Sequence, residues 1–394
     1  LPPKAKRHLS LREINHLIIR NIMVTEEIVK TETSNNPVLR TMFEMGHEEV
    51  LFCNDQATGL KAIIAVHNTT LGPALGGTRM WPYKNEAEAI EDVLRLSRGM
   101  TYKAAISGLN LGGGKAVIIG DARKDKSEAL LRRFGKFVDD LGGKYITAED
   151  VGMTSKDMEY IHMHTKHVSG LPEHIGGSGN PSPVTAYGVY MGMKASAKHV
   201  YGHDSLEGKT ILVQGCGSVG QNLIGYLVKE NAKVLVTDIY EDKLKETVDQ
   251  FGVEAVDPHN FFDLNFDIYA PCALGGTVND ASIAKMTCKI VAGAANNQLK
   301  IEDVHANALL EKGIVYAPDF LINAGGLINV YSEIMGNYKR EVAMQKTEHI
   351  FDVTIEILRK SASENMTTLQ AAKNLAEKRI SDIGNLNIPF SGRC

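Results

Sequence analysis

Two lysines and one carboxylate stand out by type and spacing in this chain of 394 residues. Lys103 and Lys115 flank a glycine-rich turn, Gly112-Gly113-Gly114, inside the stretch Thr101–Gly120 (TYKAAISGLNLGGGKAVIIG). The β-branched run Val117–Ile119 that follows reads as a buried strand. A lysine held against apolar walls loses solvation of its charged form, which is how an amine becomes a base near neutral pH. Glycines facing Lys115 remove side chains and let a small substrate approach the backbone. Glu149 and Asp150 lie just past a short strand, Tyr145–Ala148, a favourable position for a proton carrier. Two plainer readings compete. A phosphate loop is excluded, because Leu109 stands where that motif needs glycine and Ala116 where it needs Ser or Thr. An ordinary turn with two solvated lysines remains open on this stretch alone; the motifs elsewhere weigh against it.

A second chemical signature lies further on. Thr210–Val213 reads as a strand, Gly215-Cys-Gly217-Ser218-Val219-Gly220 as a GxGxxG turn, Val219–Val228 as a helix, and Lys233–Thr237 as the next strand, ending at Asp238. In this β-α-β setting the glycines bring a pyrophosphate onto a helix N-terminus, where N–H groups and the helix dipole favour anions. Asp238 would accept hydrogen bonds from both ribose hydroxyls and repel a 2′-phosphate, so the expected cofactor is NAD rather than NADP.

These groups need elements to position them. Val50–Cys53 and Leu60–His67 read as strands, and Leu71–Arg79 (LGPALGGTR) as a loop punctuated by proline and glycine. A helix capped by Asn85 carries Lys103 near its end, and Ser127–Leu141 forms another with an apolar side. Gly170–Pro183 has linker composition and marks a domain boundary, followed by a helix over Val184–His199. Asp267–Ala270, Lys289–Ala292 and Ile314–Ala317 read as further buried strands, each leading into a loop of small or polar residues. Alternation of strands with helices predicts a doubly wound, mostly parallel sheet of Rossmann type. From about Lys339 to Gly384 the chain reads as helical and is expected to return to the first domain.

Composition narrows the function classes. The chain is 43% hydrophobic and 23% charged with a net charge of −4, which suits a globular protein and gives no reason to invoke nucleic acid or a membrane surface. No apolar run reaches the roughly 18 residues of a membrane span. The five cysteines are scattered without CxxC spacing, so neither a disulfide framework nor a zinc site is expected, and the expected location is cytoplasmic. His162, His164 and His167 lack metalloprotease spacing, so no metal is expected. Residues 1–22 are basic and acid-poor; they are expected to be disordered or non-native, since Met23 offers a start.

From about Val50 to the end the chain resembles the glutamate/leucine/phenylalanine/valine dehydrogenase family, and within it the leucine-type members. The matching motifs are LGPALGGTRMWPY, GMTYKAAISGLNLGGGKAVIIGD, YITAEDVG, GNPSPVTAYGV, GCGSVG, AGAANNQL and YAPDFLINAGGLINV. The resemblance implies a substrate and oligomerisation domain with a mixed sheet over residues 23–180, joined by about 350–394. It implies an NAD-binding domain over 181–349, with a cleft between the two. The implied reaction is reversible oxidative deamination of an L-amino acid to a 2-oxo acid and ammonia, in a homo-oligomer that is an octamer in many leucine-type members.

By the same resemblance Lys103 pairs the substrate carboxylate, Lys115 is the catalytic lysine and Asp150 exchanges protons with the substrate nitrogen. Gly76 and Gly77 offer backbone near the substrate. Asn297 lies near its amino group, with Asn296 as the alternative of the pair and otherwise at the cofactor, and Thr185 meets the nicotinamide amide. Leu75, Ala148, Leu327 and Val330 match the side-chain pocket. Leucine-type members usually carry alanine at the place of Ala148, and phenylalanine-type members glycine, which favours leucine, valine and isoleucine. Leu327 departs from the usual valine, and its bulk is expected to shift the pocket toward valine. The alternatives are a valine- or phenylalanine-preferring member and a catalytically silent NAD-binding protein. The joint presence of Lys103, Lys115 and Asp150 argues against the last.

Overall fold

The structure, a computed structural model, describes residues 37–386. The basic stretch 1–22 therefore lies outside the described residues. Helix α1 (Pro37–Met45) belongs to a compact unit of its own, and the Gly46 N–H closes it on the Met42 carbonyl.

Within residues 47–386 the first sheet has strands β1 (Glu49–Asp55), β2 (Leu60–Asn68), β3 (Ala74–Trp81), β4 (Gly112–Ile119) and β5 (Tyr145–Glu149) in the order β1-β2-β4-β3-β5. β1 with β2 and β2 with β4 run antiparallel, whereas β3 runs parallel to both β4 and β5, so the sheet is mixed. Two stretches differ from the sequence reading. Leu71–Arg79 is no loop from Ala74 onward but an interior strand, and Gly112–Gly114 is no turn but the first half of β4. Crowding explains both. A Cβ on Gly76 would lie 1.7 Å from the Gly114 carbonyl oxygen, one on Gly113 2.2 Å from the Thr101 nitrogen, and one on Gly114 2.6 Å from the Tyr145 ring. Glycine here permits strands and helix to close on one another, rather than a reversal of the chain.

Helix α2 (Glu86–Ile106) starts where Asn85 accepts the Glu88 N–H, and its apolar stripe buries Ala89, Val93 and Leu94. Lys103 thereby sits in its last turn. Helix α3 (Glu128–Asp140), capped by Ser127, buries Leu130, Leu131, Phe134 and Val138 in the core of this sheet. Helix α4 (Ser155–His162) begins with a reciprocal Thr154–Asp157 capping box just after β5.

Helix α5 (Ser182–Tyr201) leads into the second sheet. Its strands are β6 (Thr210–Gln214), β7 (Lys233–Thr237), β8 (Glu254–Ala255), β9 (Ile268–Pro271), β10 (Ile290–Val291) and β11 (Val315–Tyr316). All are parallel, in the order β11-β10-β9-β6-β7-β8. The chain reverses direction across the sheet between β6 and β9, and such a switch point opens a crevice at the strand C-termini. Helices α6 (Ser218–Lys229), α7 (Glu241–Phe251), α8 (Asp280–Lys285) and α9 (Glu302–Glu311) connect the strands. After β11 come α10 (Asp319–Ile322), α11 (Gly325–Ile334), α12 (Arg340–Glu364) and α13 (Thr368–Gly384). The last helix lies against α2: Arg379 donates to the Ala105 and Leu109 carbonyls at 3.1 and 2.7 Å. One apolar cluster runs from Leu75 and Ile146 through Val213 to Ile322 and Val330, so the two sheets share a buried core. Among the described residues no helix is long and apolar enough to cross a membrane.

Candidate active site

The C-terminal edge of the first sheet brings three charged groups together. Lys115 lies mid-strand in β4 and is only 5% exposed. Its Nζ is 2.9 Å from Asp150 Oδ2, just beyond β5. Arg79, from β3, donates through Nε to the same oxygen at 3.1 Å and through Nη1 to Asp92 at 2.8 Å. Gly77 lets this happen, because a Cβ there would lie 2.8 Å from Asp150 Cβ. Burial alone would push the Asp150 carboxyl up; the charges of Lys115 and Arg79 outweigh it and hold the group below the usual carboxylate range.

Lys103 reaches toward the second sheet. Its Nζ donates to Asn296 Oδ1 at 3.2 Å, and Asn323 Nδ2 donates to that same oxygen at 2.8 Å. Burial lowers the Lys103 amine to about 8; the charge of Asp319 opposes that shift, and Lys115 reinforces it. Asp319 is itself buried at the start of α10, and its Oδ2 accepts the Gln298 N–H at 2.9 Å. Burial raises its carboxyl, against the pull of that N–H and of Lys103. Of the asparagine pair it is Asn296 that meets Lys103. Asn297 sits in a left-handed conformation with φ of 52°, and its carbonyl accepts the Gly276 N–H.

Leu75, Ala148, Leu327 and Val330 are all buried. Leu75, Leu327 and Val330 belong to the shared apolar cluster, and Ala148 pairs with Gly77 across the β3–β5 ladder. Gly76 gives its carbonyl to the Tyr145 hydroxyl at 2.6 Å.

Across the crevice the GxGxxG turn has a different reason for each glycine. Gly215 has φ of 113° and abuts Ala273, and a Cβ on Gly220 would lie 2.0 Å from the Gly215 carbonyl oxygen. A Cβ on Gly217 would meet nothing within 4 Å. Gly217 is also the N-cap of α6, without a side-chain cap, so the first-turn N–H groups around Ser218 and Val219 face an open cradle. Asp238 Oδ2 accepts the Cys216 N–H at 2.7 Å and Oδ1 the Tyr240 N–H at 2.9 Å, which fixes the carboxylate at the end of β7. Thr185 Oγ1 donates to Pro181 at 3.0 Å beside Gly326, whose Cβ would lie 2.8 Å from that hydroxyl. These residues fit a dinucleotide: an uncapped helix N-terminus for the pyrophosphate and a fixed carboxylate for a ribose.

The sequence reading missed Arg79, Asp92, Asp319 and Asn323. Arg79, Asp319 and Asn323 lie inside motifs quoted for the family resemblance, but neither spacing nor residue type shows that they meet Asp150 or lie near Lys103.

Comparison with known proteins agrees with this geometry. The family model described as "Glu/Leu/Phe/Val dehydrogenase, dimerisation domain" matches residues 47–167. That described as "Glutamate/Leucine/Phenylalanine/Valine dehydrogenase" matches residues 176–240 and 236–385. The chain is 55% identical to leucine dehydrogenase of Geobacillus stearothermophilus over 87% of its own length and 93% of that protein. It is 49% identical to phenylalanine dehydrogenase of Lysinibacillus sphaericus over 88% of its length and 91% of that protein. The crystal structure of L-tryptophan dehydrogenase from Nostoc punctiforme superposes with a TM-score of 0.78 at 45% identity, covering 88% of this chain and 99% of that one. The chain belongs to the glutamate/leucine/phenylalanine/valine dehydrogenase family. It is an amino-acid dehydrogenase whose Rossmann-type sheet suits a nicotinamide cofactor.

Proposed function

We propose that the protein catalyses reversible, NAD-dependent oxidative deamination of branched-chain L-amino acids to 2-oxo acids and ammonia. The observation that carries this reading is the Lys115–Asp150 pair at 2.9 Å, with Lys103 between it and the dinucleotide-binding sheet. The Lys103 ammonium pairs the substrate carboxylate, with Gly76 and Gly77 as backbone neighbours and Asn296, or Asn297, near the amino group. Asp150 takes a proton from the substrate nitrogen. NAD, held by Gly215, Gly217, Ser218, Val219, Gly220, Asp238 and Thr185, supplies a hydride acceptor for Cα. Lys115 takes a proton from the water that adds to the resulting imine carbon and passes it to solvent, Asp150 returns one to nitrogen, and the carbinolamine hydroxyl gives its proton to Lys115 as the C–N bond breaks, the C=O forms and ammonia leaves. The two carboxylate-facing lysines thus divide charge and proton work between them.

We further propose the domain limits 23–180 with about 350–394, and 181–349. A homo-oligomer is supported by the dimerisation-domain match, and an octamer by the leucine-type resemblance. A cytoplasmic location is supported by the free cysteines among the described residues, Cys53, Cys216, Cys272 and Cys288.

The pocket reading is tested by kcat/KM for leucine, valine, isoleucine and phenylalanine. The wild type oxidises the three aliphatic substrates far better than phenylalanine. One methylene in an apolar pocket is worth about 1–3 kcal/mol. Leu327→Val therefore raises leucine relative to valine, and Ala148→Gly raises phenylalanine relative to valine. A wild type preferring phenylalanine would overturn the branched-chain assignment, and unchanged ratios would remove Leu327 and Ala148 from the pocket.

The cofactor reading is tested at Asp238. Two hydrogen bonds to a charged group are worth about 1.5–3 kcal/mol each at most, so Asp238→Ala raises the KM for NAD⁺ by about tenfold or more. NADP⁺ suffers less, because its 2′-phosphate is no longer repelled. Equal losses for both would show that Asp238 does not read the ribose.

A further inference from the structure

Arg79 is the one cation at the site that the proposed reaction does not use. It lies between two carboxylates, with Nε on Asp150 Oδ2 at 3.1 Å and Nη1 on Asp92 Oδ2 at 2.8 Å. Asp92 is anchored in turn by the Tyr83 hydroxyl at 2.7 Å and by Arg95 at 3.1 Å. Both charge-assisted bonds to the Asp150 carboxylate, from Lys115 and from Arg79, fall on Oδ2. Oδ1 takes none from the described residues. A planar guanidinium spans two carboxylates in a way that an ammonium does not, and it stays charged at every working pH.

We propose that Arg79 is a positioning residue for Asp150: by gripping Oδ2 it fixes the carboxylate's rotamer and its charge, and so reserves Oδ1 for the nitrogen of the substrate. This rests on the reading of Asp150 as the proton carrier. The physical need arises during turnover. Each time Lys115 gives up a proton, Asp150 loses its neighbouring cation, and a half-buried carboxylate with no cation would take up the proton meant for substrate. Arg79 keeps a permanent positive charge on the same oxygen, so Asp150 stays able to exchange protons through the whole cycle. The groups that face Asp150 are Lys115 from β4, Arg79 from β3, Lys103 from α2, the Tyr145 hydroxyl from β5 and, beside it in sequence, Glu149. Arg79 is the guanidinium among them and stays charged at every working pH.

The test is the pH profile of kcat/KM for leucine in the full chain, for wild type, Arg79→Gln, Arg79→Lys, Asp92→Asn and Asp150→Asn, with NADH affinity measured alongside. An arginine beside an aspartate lowers its pKa by about 1–3 units. Arg79→Gln is therefore expected to move the acidic limb up by at least about one unit and to lower kcat more than it raises KM. Arg79→Lys keeps the charge and retains the limb; Asp92→Asn, which loosens Arg79 without touching Asp150, moves it less in the same direction. NADH affinity is unchanged in all. An unmoved acidic limb in Arg79→Gln, or in Asp92→Asn where Arg79→Gln does not fold, overturns the proposal and leaves Arg79 a packing residue. Asp150→Asn turning over within a few fold of wild type overturns instead the reading of Asp150, whatever Arg79 does.

Discussion

Replacing Lys115 with alanine is expected to remove turnover while NADH binding stays nearly intact. Positioned general acid–base groups contribute about 10²- to 10⁴-fold, and Lys115 is positioned by its ion pair with Asp150. Its ammonium is buried in β4 and meets Asp150 at 2.9 Å, so no other side chain takes its place when it is cut back. A loss of about 10²- to 10⁴-fold in kcat follows. The dinucleotide turn at Gly215–Gly220 lies on the other sheet and shares no bond with Lys115, so NADH affinity reports intact folding. Loss of both activity and NADH affinity would point to a folding defect. Activity within a few fold of wild type would take Lys115 out of the chemistry.

Lys103→Ala is expected to act on binding first. Truncating one partner of a desolvated charge pair costs about 2–5 kcal/mol, so kcat/KM for leucine falls by roughly thirtyfold to several thousandfold, mainly through KM. The pH dependence has a definite sign. Burial lowers Lys103 to about 8 in the free enzyme, so its charge is full below that pH and fades above it. The substrate carboxylate needs that charge, so KM for the amino acid rises as pH climbs through 8. Lys103→Arg keeps a guanidinium charged throughout and removes this alkaline rise, even where its geometry lowers kcat. Steady-state KM across the alkaline range separates the cases. A KM that stays flat through that range in the wild type would mean that Lys103 does not hold the carboxylate.

The dinucleotide half of the site was legible in the sequence because its determinants are local. A strand, a GxGxxG turn, a helix and an acid after the next strand lie within one short segment, and the physics of each glycine depends on near neighbours. Lys103 was legible as well, since the Asn85 cap and the apolar stripe of its helix place it near the helix end. What the sequence hid were pairings between distant strands. Leu71–Arg79 reads as a loop because glycine and proline punctuate it, yet from Ala74 onward β4 and β5 flank it on both sides and require its glycines. The same long-range closure brings Arg79 to Asp150, two residues that no local pattern relates. Choosing Asn296 over Asn297 as the neighbour of Lys103 likewise needed the left-handed backbone at Asn297, which a bare AANN does not reveal.

Deamination of an aliphatic amino acid is tested most directly by product stoichiometry. The purified full chain, given L-leucine and NAD⁺, is predicted to form NADH, 4-methyl-2-oxopentanoate and ammonia in equal amounts, and the Lys115→Ala variant to form them at least about 10²-fold more slowly. NADH formation without ammonia, or no ammonia from leucine, valine or isoleucine with NAD⁺, would contradict it.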